Sequence, residues 1–215
     1  MALPLSYLLS LLLLVLLLPY STTAQNSSNQ YAGSSLIAQE KGSYWASPSS
    51  DFAFGFQQIG NGGYLLAIWF NNIPGKTIVW SANGDNLVPT GSKVELTKGG
   101  QLVLSDPTGT EIWSEPDDLG VVYAAMLDTG NFVLASQNGS HLWQSFDHPT
   151  DTMLPTQTTS LGRKLVAHYS ERNNSNGRFQ FQLQTDGNLV LQTLAFPIYW
   201  SNTAYWLSGT IGSGF

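Results

Sequence analysis

Asp147, His148 and Asp151 form the only cluster of histidine and carboxylate side chains in this 215-residue chain. A histidine between two carboxylates could shuttle protons or share a metal ion. The setting argues against both. The three lie around Pro149 in a turn-forming stretch, where aspartates commonly cap turns, and a catalytic site needs more converging groups than these. We expect no catalytic residue, no metal and no cofactor. The glycine-rich segment from Gly209 to Gly214 hints at a phosphate loop, but it lacks the lysine and following helix of a nucleotide site. Asn26, Asn138 and Asn173 each open an Asn-x-Ser sequon and are expected glycosylation sites in a secreted chain.

The elements that would position these groups are β-strands. Twenty-one glycines, seven tryptophans, nine tyrosines and ten phenylalanines describe a turn-rich, aromatic-rich chain, the composition of a β fold. Charged residues make up 10% of it, well below the roughly 25% of an average soluble domain. The net charge is -6, and Arg163-Lys164 is the only adjacent basic pair. Nucleic acid is therefore excluded as a partner, because nothing is available to neutralise phosphates.

An apolar run from Leu8 to Leu18 is broken only by Ser10, ends at Pro19 and is followed by Ser21-Thr22-Thr23-Ala24. It is short of the ~20 residues that span a bilayer and has the form of a signal peptide over residues 1–24, although its first residues include no Lys or Arg. The expected location is extracellular, secreted or on the outer face of the plasma membrane. There is no cysteine, and the roughly 190 residues left after cleavage can bury a core without disulfides.

Three stretches repeat one pattern. Gln101-Leu102-Val103-Leu104, Asn131-Phe132-Val133-Leu134 and Asn188-Leu189-Val190-Leu191 each follow a glycine, and Trp113, Trp143 and Trp200 each lie 12 residues beyond the first residue of their stretch. Such regularity predicts one small β unit used several times. Glycine or Asn/Asp turns precede and follow each Val-Leu strand. Asp51–Phe56, Tyr64–Phe70 and Thr77–Trp80 predict a more divergent first unit that closes at Trp80. The tryptophans are expected in the core. Units ending at Trp80, Trp113 and Trp143 make one domain over residues 25–150, preceded by a mobile polar tail over residues 25–30. Residues 151–160 predict a linker, and the unit ending at Trp200 predicts a second, incomplete domain over residues 161–215.

Tyr64-Leu65-Leu66-Ala67-Ile68-Trp69-Phe70, Ile73-Pro74 and Val79-Trp80-Ser81-Ala82-Asn83 resemble the strand-turn-strand signature of the bulb-type (G-type, monocot mannose-binding) lectins. The stretch from Trp143 through Gln144-Ser145-Phe146-Asp147-His148-Pro149 to Thr152 is similar to that family's second signature. The nearest resemblance is to the ectodomains of plant G-type lectin S-receptor-like serine/threonine kinases. It implies an all-β fold, a type II β-prism of three pseudo-symmetric four-stranded sheets with tryptophans at its centre, followed by a partial second lectin domain. It also implies a receptor that continues through cysteine-rich modules, a membrane helix and a kinase domain, none of which is in this sequence, and it places the Asp147–Asp151 group in a structural signature.

Sugar sites in this family resemble a Gln-x-Asp-x-Asn-x-Val-x-Tyr motif, one per unit. Alternate strand residues share a face, so amides and carboxylates can meet vicinal hydroxyls while the valine touches ring carbons. Gln184, Asp186, Asn188 and Val190 match four positions, and Gln192 replaces the tyrosine. Leu127, Thr129, Asn131, Val133 and Ala135 keep only the asparagine and valine; Thr97, Gly99, Gln101, Val103 and Ser105 keep only the valine. The resemblance therefore implies a lectin-like module for mannose-type glycans or glycoproteins, with its best site in the last unit. The alternative is an interaction module of a truncated receptor kinase, binding a peptide or a sister receptor.

Overall fold

The computed structural model describes residues 29–60, 62–115, 120–195 and 200–212. The expected signal peptide, the Asn26 sequon, and Ile198-Tyr199 lie outside these residues. Among the described residues, one 3-10 turn (Ser145–Asp147) interrupts an otherwise all-β chain.

Three short strands come first: β1 (Gln30–Tyr31), β2 (Ser35–Ile37) and β3 (Tyr44–Ala46). Nine more follow in threes. They are β4 (Phe52–Gln58), β5 (Tyr64–Phe70) and β6 (Ile78–Ser81); β7 (Lys93–Leu96), β8 (Leu102–Ser105) and β9 (Glu111–Glu115); and β10 (Tyr123–Met126), β11 (Phe132–Ala135) and β12 (His141–Gln144). The last group is β13 (Lys164–Ser170), β14 (Asn173–Leu183), β15 (Leu189–Ala195) and β16 (Trp200–Leu207). They form four antiparallel four-stranded sheets ordered β3-β4-β5-β6, β2-β7-β8-β9, β1-β10-β11-β12 and β13-β14-β15-β16.

The N-terminal segment thus supplies the outer strand to three different sheets. Gln30, expected in a mobile tail, pairs with Ala124, and Leu36 pairs with Val94. The β7–β8, β10–β11 and β14–β15 hairpins each turn on a glycine that a side chain would strain. Gly100, Gly130 and Gly187 have φ of 89°, 86° and 84°, in the left-handed region that other residues adopt at a cost.

One register recurs in all four sheets. Ile68 faces Trp80, Leu104 faces Trp113, Leu134 faces Trp143, and Leu191 faces Trp206; an irregularity follows directly after the first member of each pair. The tryptophan that closes the fourth unit is therefore Trp206, a correction to the expectation of Trp200. Trp200 instead faces Ala195 and is 72% exposed. Leu104 and Leu134 each precede their tryptophan by nine residues and Leu191 by fifteen, so a longer hairpin between β15 and β16 carries the extra length. That Trp200 falls 12 residues after Asn188 is a coincidence of this insertion.

Trp80, Trp113 and Trp143 meet one another edge-to-face, with ring centres 6.0, 6.0 and 6.1 Å apart and interplanar angles of 69°, 76° and 72°. Around them lies one cluster drawn from the first three sheets, including Phe54, Leu66, Ile68, Val94, Leu104, Phe132 and Leu134. Phe54 stacks on Phe132 at 3.9 Å, joining the first sheet to the third. The segment expected as a linker is docked on this core. Leu154 belongs to the cluster, and Gln157 accepts from the Leu154 N–H and donates to the Phe146 carbonyl.

The two tryptophan classes should separate in denaturant. Trp80→Ala is expected to lower the unfolding free energy by about 3–5 kcal/mol, the usual cost of truncating a buried aromatic. Trp200→Ala should change it by less than about 0.5 kcal/mol. Urea titrations of both variants check the corrected register.

Candidate functional site

The Gln184-Asp186-Asn188 group lies on the β14–β15 hairpin, and the hairpin itself dictates much of its geometry. The Gln184 N–H donates to the Asn188 carbonyl (2.8 Å), and the Gly187 N–H donates to the Gln184 carbonyl (3.0 Å). The same two bonds recur between Thr97 and Gln101 with Gly100, and between Leu127 and Asn131 with Gly130. The spacing of the motif is thus a property of the turn. Asp186 stays exposed, and its Oδ1 accepts from the Asn188 N–H at 3.0 Å.

Asn188 is a structural hub as well as a candidate ligand. Its side chain is 3% exposed, and Oδ1 accepts from the Ser208 hydroxyl (2.9 Å), the Gly209 N–H (3.0 Å) and the Thr210 N–H (3.3 Å). Ser208 Oγ in turn accepts from the Leu189 N–H. Asn131 occupies the same position in the third sheet. Its Oδ1 accepts from the Ser145 hydroxyl and the Phe146 N–H, while Ser145 Oγ accepts from the Phe132 N–H. Ser145 and Ser208 each stand two residues past their closing tryptophan, which supports the Trp206 register independently. The segment from Gly209 to Gly212 is occupied in this way: it caps Asn188, and the Gly212 N–H donates to the Asp186 carbonyl.

Val190, expected to touch a sugar ring, has no exposed surface. Gln182 of β14 and Leu207 of β16 flank it on the same face. At the position of the absent tyrosine, Gln192 Nε2 donates to Gln182 Oε1 (3.2 Å) and to Ser201 Oγ (3.1 Å). Gln180 Nε2 also reaches Gln182 Oε1 (3.2 Å), leaving the buried Gln180 Oε1 unpartnered among the described residues. The alternation Phe179-Gln180-Phe181-Gln182-Leu183-Gln184 carries this glutamine row in the sequence, where its period of two was the signal to read.

The sheet's other face carries Phe181, Leu191 and Trp206 in one row. In the first three sheets the corresponding row is core. Here Trp206 is 47% exposed, and Phe179 and Trp200 are exposed beside it.

The histidine–carboxylate group does not converge. Asp147 accepts from the Gln144 amide, His148 stacks on Trp143 at 5.3 Å while its carbonyl accepts the Trp80 indole N–H at 2.7 Å, and Asp151 lies 3.0 Å from His168. The His168–Asp151 pair ties the fourth sheet to the first three, as do Asn176 and Asp85. The sequence reading missed both contacts. Asn138, in a turn, and Asn173, at the start of β14, are exposed, each with Oδ1 accepting from the backbone N–H two residues on.

The family model described as D-mannose binding lectin matches residues 77–172. The chain carries a bulb-type lectin domain. It is 47% identical over 214 residues to the G-type lectin S-receptor-like serine/threonine-protein kinase LECRK2 of Oryza sativa subsp. indica, covering 94% of this chain and 26% of that protein. The kinase RLK1 of Arabidopsis thaliana is 44% identical over 202 residues, or 86% of this chain and 24% of that one. The lectin-bearing chain thus spans about a quarter of these relatives' length. Among solved structures, the two-domain lectin of Scilla campanulata aligns over 90% of this chain and 73% of that chain, at 17% identity and a TM-score of 0.31, too loose a superposition to carry weight. Among the described residues, no helix is long and apolar enough to cross a membrane.

Because Asn188 Oδ1 holds three donors, Asn188→Ala is expected to destabilise the fourth sheet by about 1–3 kcal/mol whether or not a glycan binds. Hydrogen exchange at Ser208, Gly209 and Thr210 should accelerate in that variant. Unchanged exchange there would remove Asn188 from its structural role.

Proposed function

We propose that this chain is a non-enzymatic, extracellular lectin-like module of receptor-kinase type that holds mannose-type glycans on its fourth sheet. The first three sheets form a β-prism about the tryptophan trio, and the fourth belongs to a partial second lectin domain. One observation carries the sugar reading. At the rim of the glutamine row, the Gln184 carboxamide and Asp186 Oδ2 have no protein partner among the described residues, and Asn188 Nδ2 donates to none of them. A carboxylate acceptor beside two amides suits adjacent hydroxyls on a sugar ring. Val190 is withdrawn and Gln192 replaces the aromatic contact, so affinity is weak, on the order of millimolar for a monosaccharide. Asn138 and Asn173 are accepted as glycosylation sites on the basis of their exposure.

A second reading rests on a different observation. The exposed Trp206, Trp200 and Phe179 face is an apolar surface of the kind that marks protein contact, and it favours an interaction module.

Glycan-array binding of the secreted protein separates the two. With Asp186→Ala or Gln184→Ala, binding of mannose-type glycans should fall by about tenfold, the loss of one good hydrogen bond to a charged or amide group. Mannose binding that survives both changes would sink the site. No glycan binding at all would favour the interaction module.

A further inference from the structure

A second site lies away from the glutamine row, in a cleft of about 940 Å³ between the first and fourth sheets. One wall comes from the first sheet and its turns, with Gln58, Lys76 and Thr77; the other comes from the β13–β14 turn, with Glu171, Arg172 and Asn173. Gln58 and Lys76 also line an adjoining hollow of about 290 Å³ that contains Tyr44 and Trp69. The two hollows therefore make one groove across the outer face of the first sheet.

Lys76 is built into this groove. It is one of three non-glycine residues with positive φ among the described residues, at 43°, a conformation that costs a β-carbon-bearing residue energy and persists where the surroundings hold it. Its ammonium lies 5.7 Å from the ring centres of both Tyr44 and Trp69 and donates to Asn71 Oδ1 at 3.2 Å. Tyr44 meets Trp69 edge-on at 5.8 Å and remains 45% exposed. Across the cleft, Arg172 forms no ion pair among the described residues, and neither does Lys76. In a chain of net charge -6 with eight Lys and Arg in all, two cations without an ion-pair partner lining one cleft stand out. Glu171 in the cleft and Glu40 in the adjoining hollow are the anions of the lining, where Lys41 adds a third cation, and neither carboxylate forms an ion pair among the described residues.

We propose that this groove binds an acidic oligosaccharide, a sugar chain carrying carboxylates. Lys76 and Arg172 meet two of its anionic groups, the Gln58 and Asn173 amides meet hydroxyls, and the exposed Tyr44 ring takes the apolar face of a sugar. The cations set the preference for charge. The amides and ring set the preference for a saccharide over an acidic peptide, because paired donor and acceptor groups match vicinal hydroxyls. Glu171 repels the ligand locally and favours spaced rather than adjacent charges. The site shares no residue with the one proposed for mannose, so the two can fail separately.

Calorimetric titration with an oligomer of galacturonate, its neutral methyl ester and polyglutamate tests this. The free acid should bind, with affinity falling as salt is raised. The ester and the peptide should bind at least about tenfold more weakly. Lys76→Asn keeps a residue that tolerates the left-handed turn, and Arg172→Gln keeps length; each should weaken the acid by roughly fivefold to tenfold, with the urea unfolding midpoint unchanged. Asp186→Ala should leave this binding intact. Absence of binding by the free acid, equal binding of ester or peptide, or binding that survives Lys76→Asn combined with Arg172→Gln would each overturn the proposal.

Discussion

The mutual edge-to-face contact of Trp80, Trp113 and Trp143 is the constraint on which the first three sheets depend. Each ring comes from the last strand of a different sheet, so none can pack without the other two. Edge-to-face geometry sets the positive rim of one ring against the negative face of the next. Three rings can satisfy this in a closed cycle, which fixes three sheets at nearly equal separations. The surrounding polar contacts serve the cycle. Trp80 hands its indole N–H to the His148 carbonyl, and the His148 ring covers Trp143. Among the described residues the buried Trp143 indole N–H has no partner, a cost that the ring contacts must offset.

The same logic explains why the histidine and aspartates near residue 148 are structural. They hold the far side of the tryptophan cycle and brace the fourth sheet through Asp151 and His168. Asn131 and Asn188 show the parallel effect on the sugar motif. A buried amide oxygen that accepts three donors is no longer free to meet a ligand, so the asparagine can persist in a unit for its hairpin alone. Asn131 remains while the glutamine, aspartate and tyrosine positions of its unit are leucine, threonine and alanine. In such a motif the groups that the turn leaves over, the Gln184 carboxamide and Asp186 Oδ2, are the informative ones.

Much of this was legible in the residues. Turn glycines, strand alternation and the Val-Leu runs located β4, β5, β6, β8, β9, β11, β12 and β15, because positive φ and period two are local properties, but β7, β10, β13 and β14 went unread. Register across a hairpin is not local. A six-residue lengthening between β15 and β16 placed Trp200 at the expected interval and moved the true counterpart to Trp206. β1 and β2, of two and three residues, are too short for a period to show, and their partners lie more than fifty residues away. The docked Leu154 was hidden by its Thr- and Pro-rich neighbours. The cleft at Lys76 depends on two segments about a hundred residues apart and leaves no mark in either.

The fourth sheet differs from the others in what holds it. The first three are fastened through apolar rows facing one another, whereas the fourth reaches them through His168–Asp151, Asp85–Asn176 and one backbone bond from Val166 to Thr150. Polar contacts of this kind are individually weak at a surface and compete with water. Its own row of Phe181, Leu191 and Trp206, equivalent to a core row elsewhere, faces outward. The cleft that contains Lys76 and Arg172 lies across this polar junction, one cation on each side. A ligand bridging the two would therefore add its binding energy to this polar junction, coupling occupancy of the groove to the position of the fourth sheet.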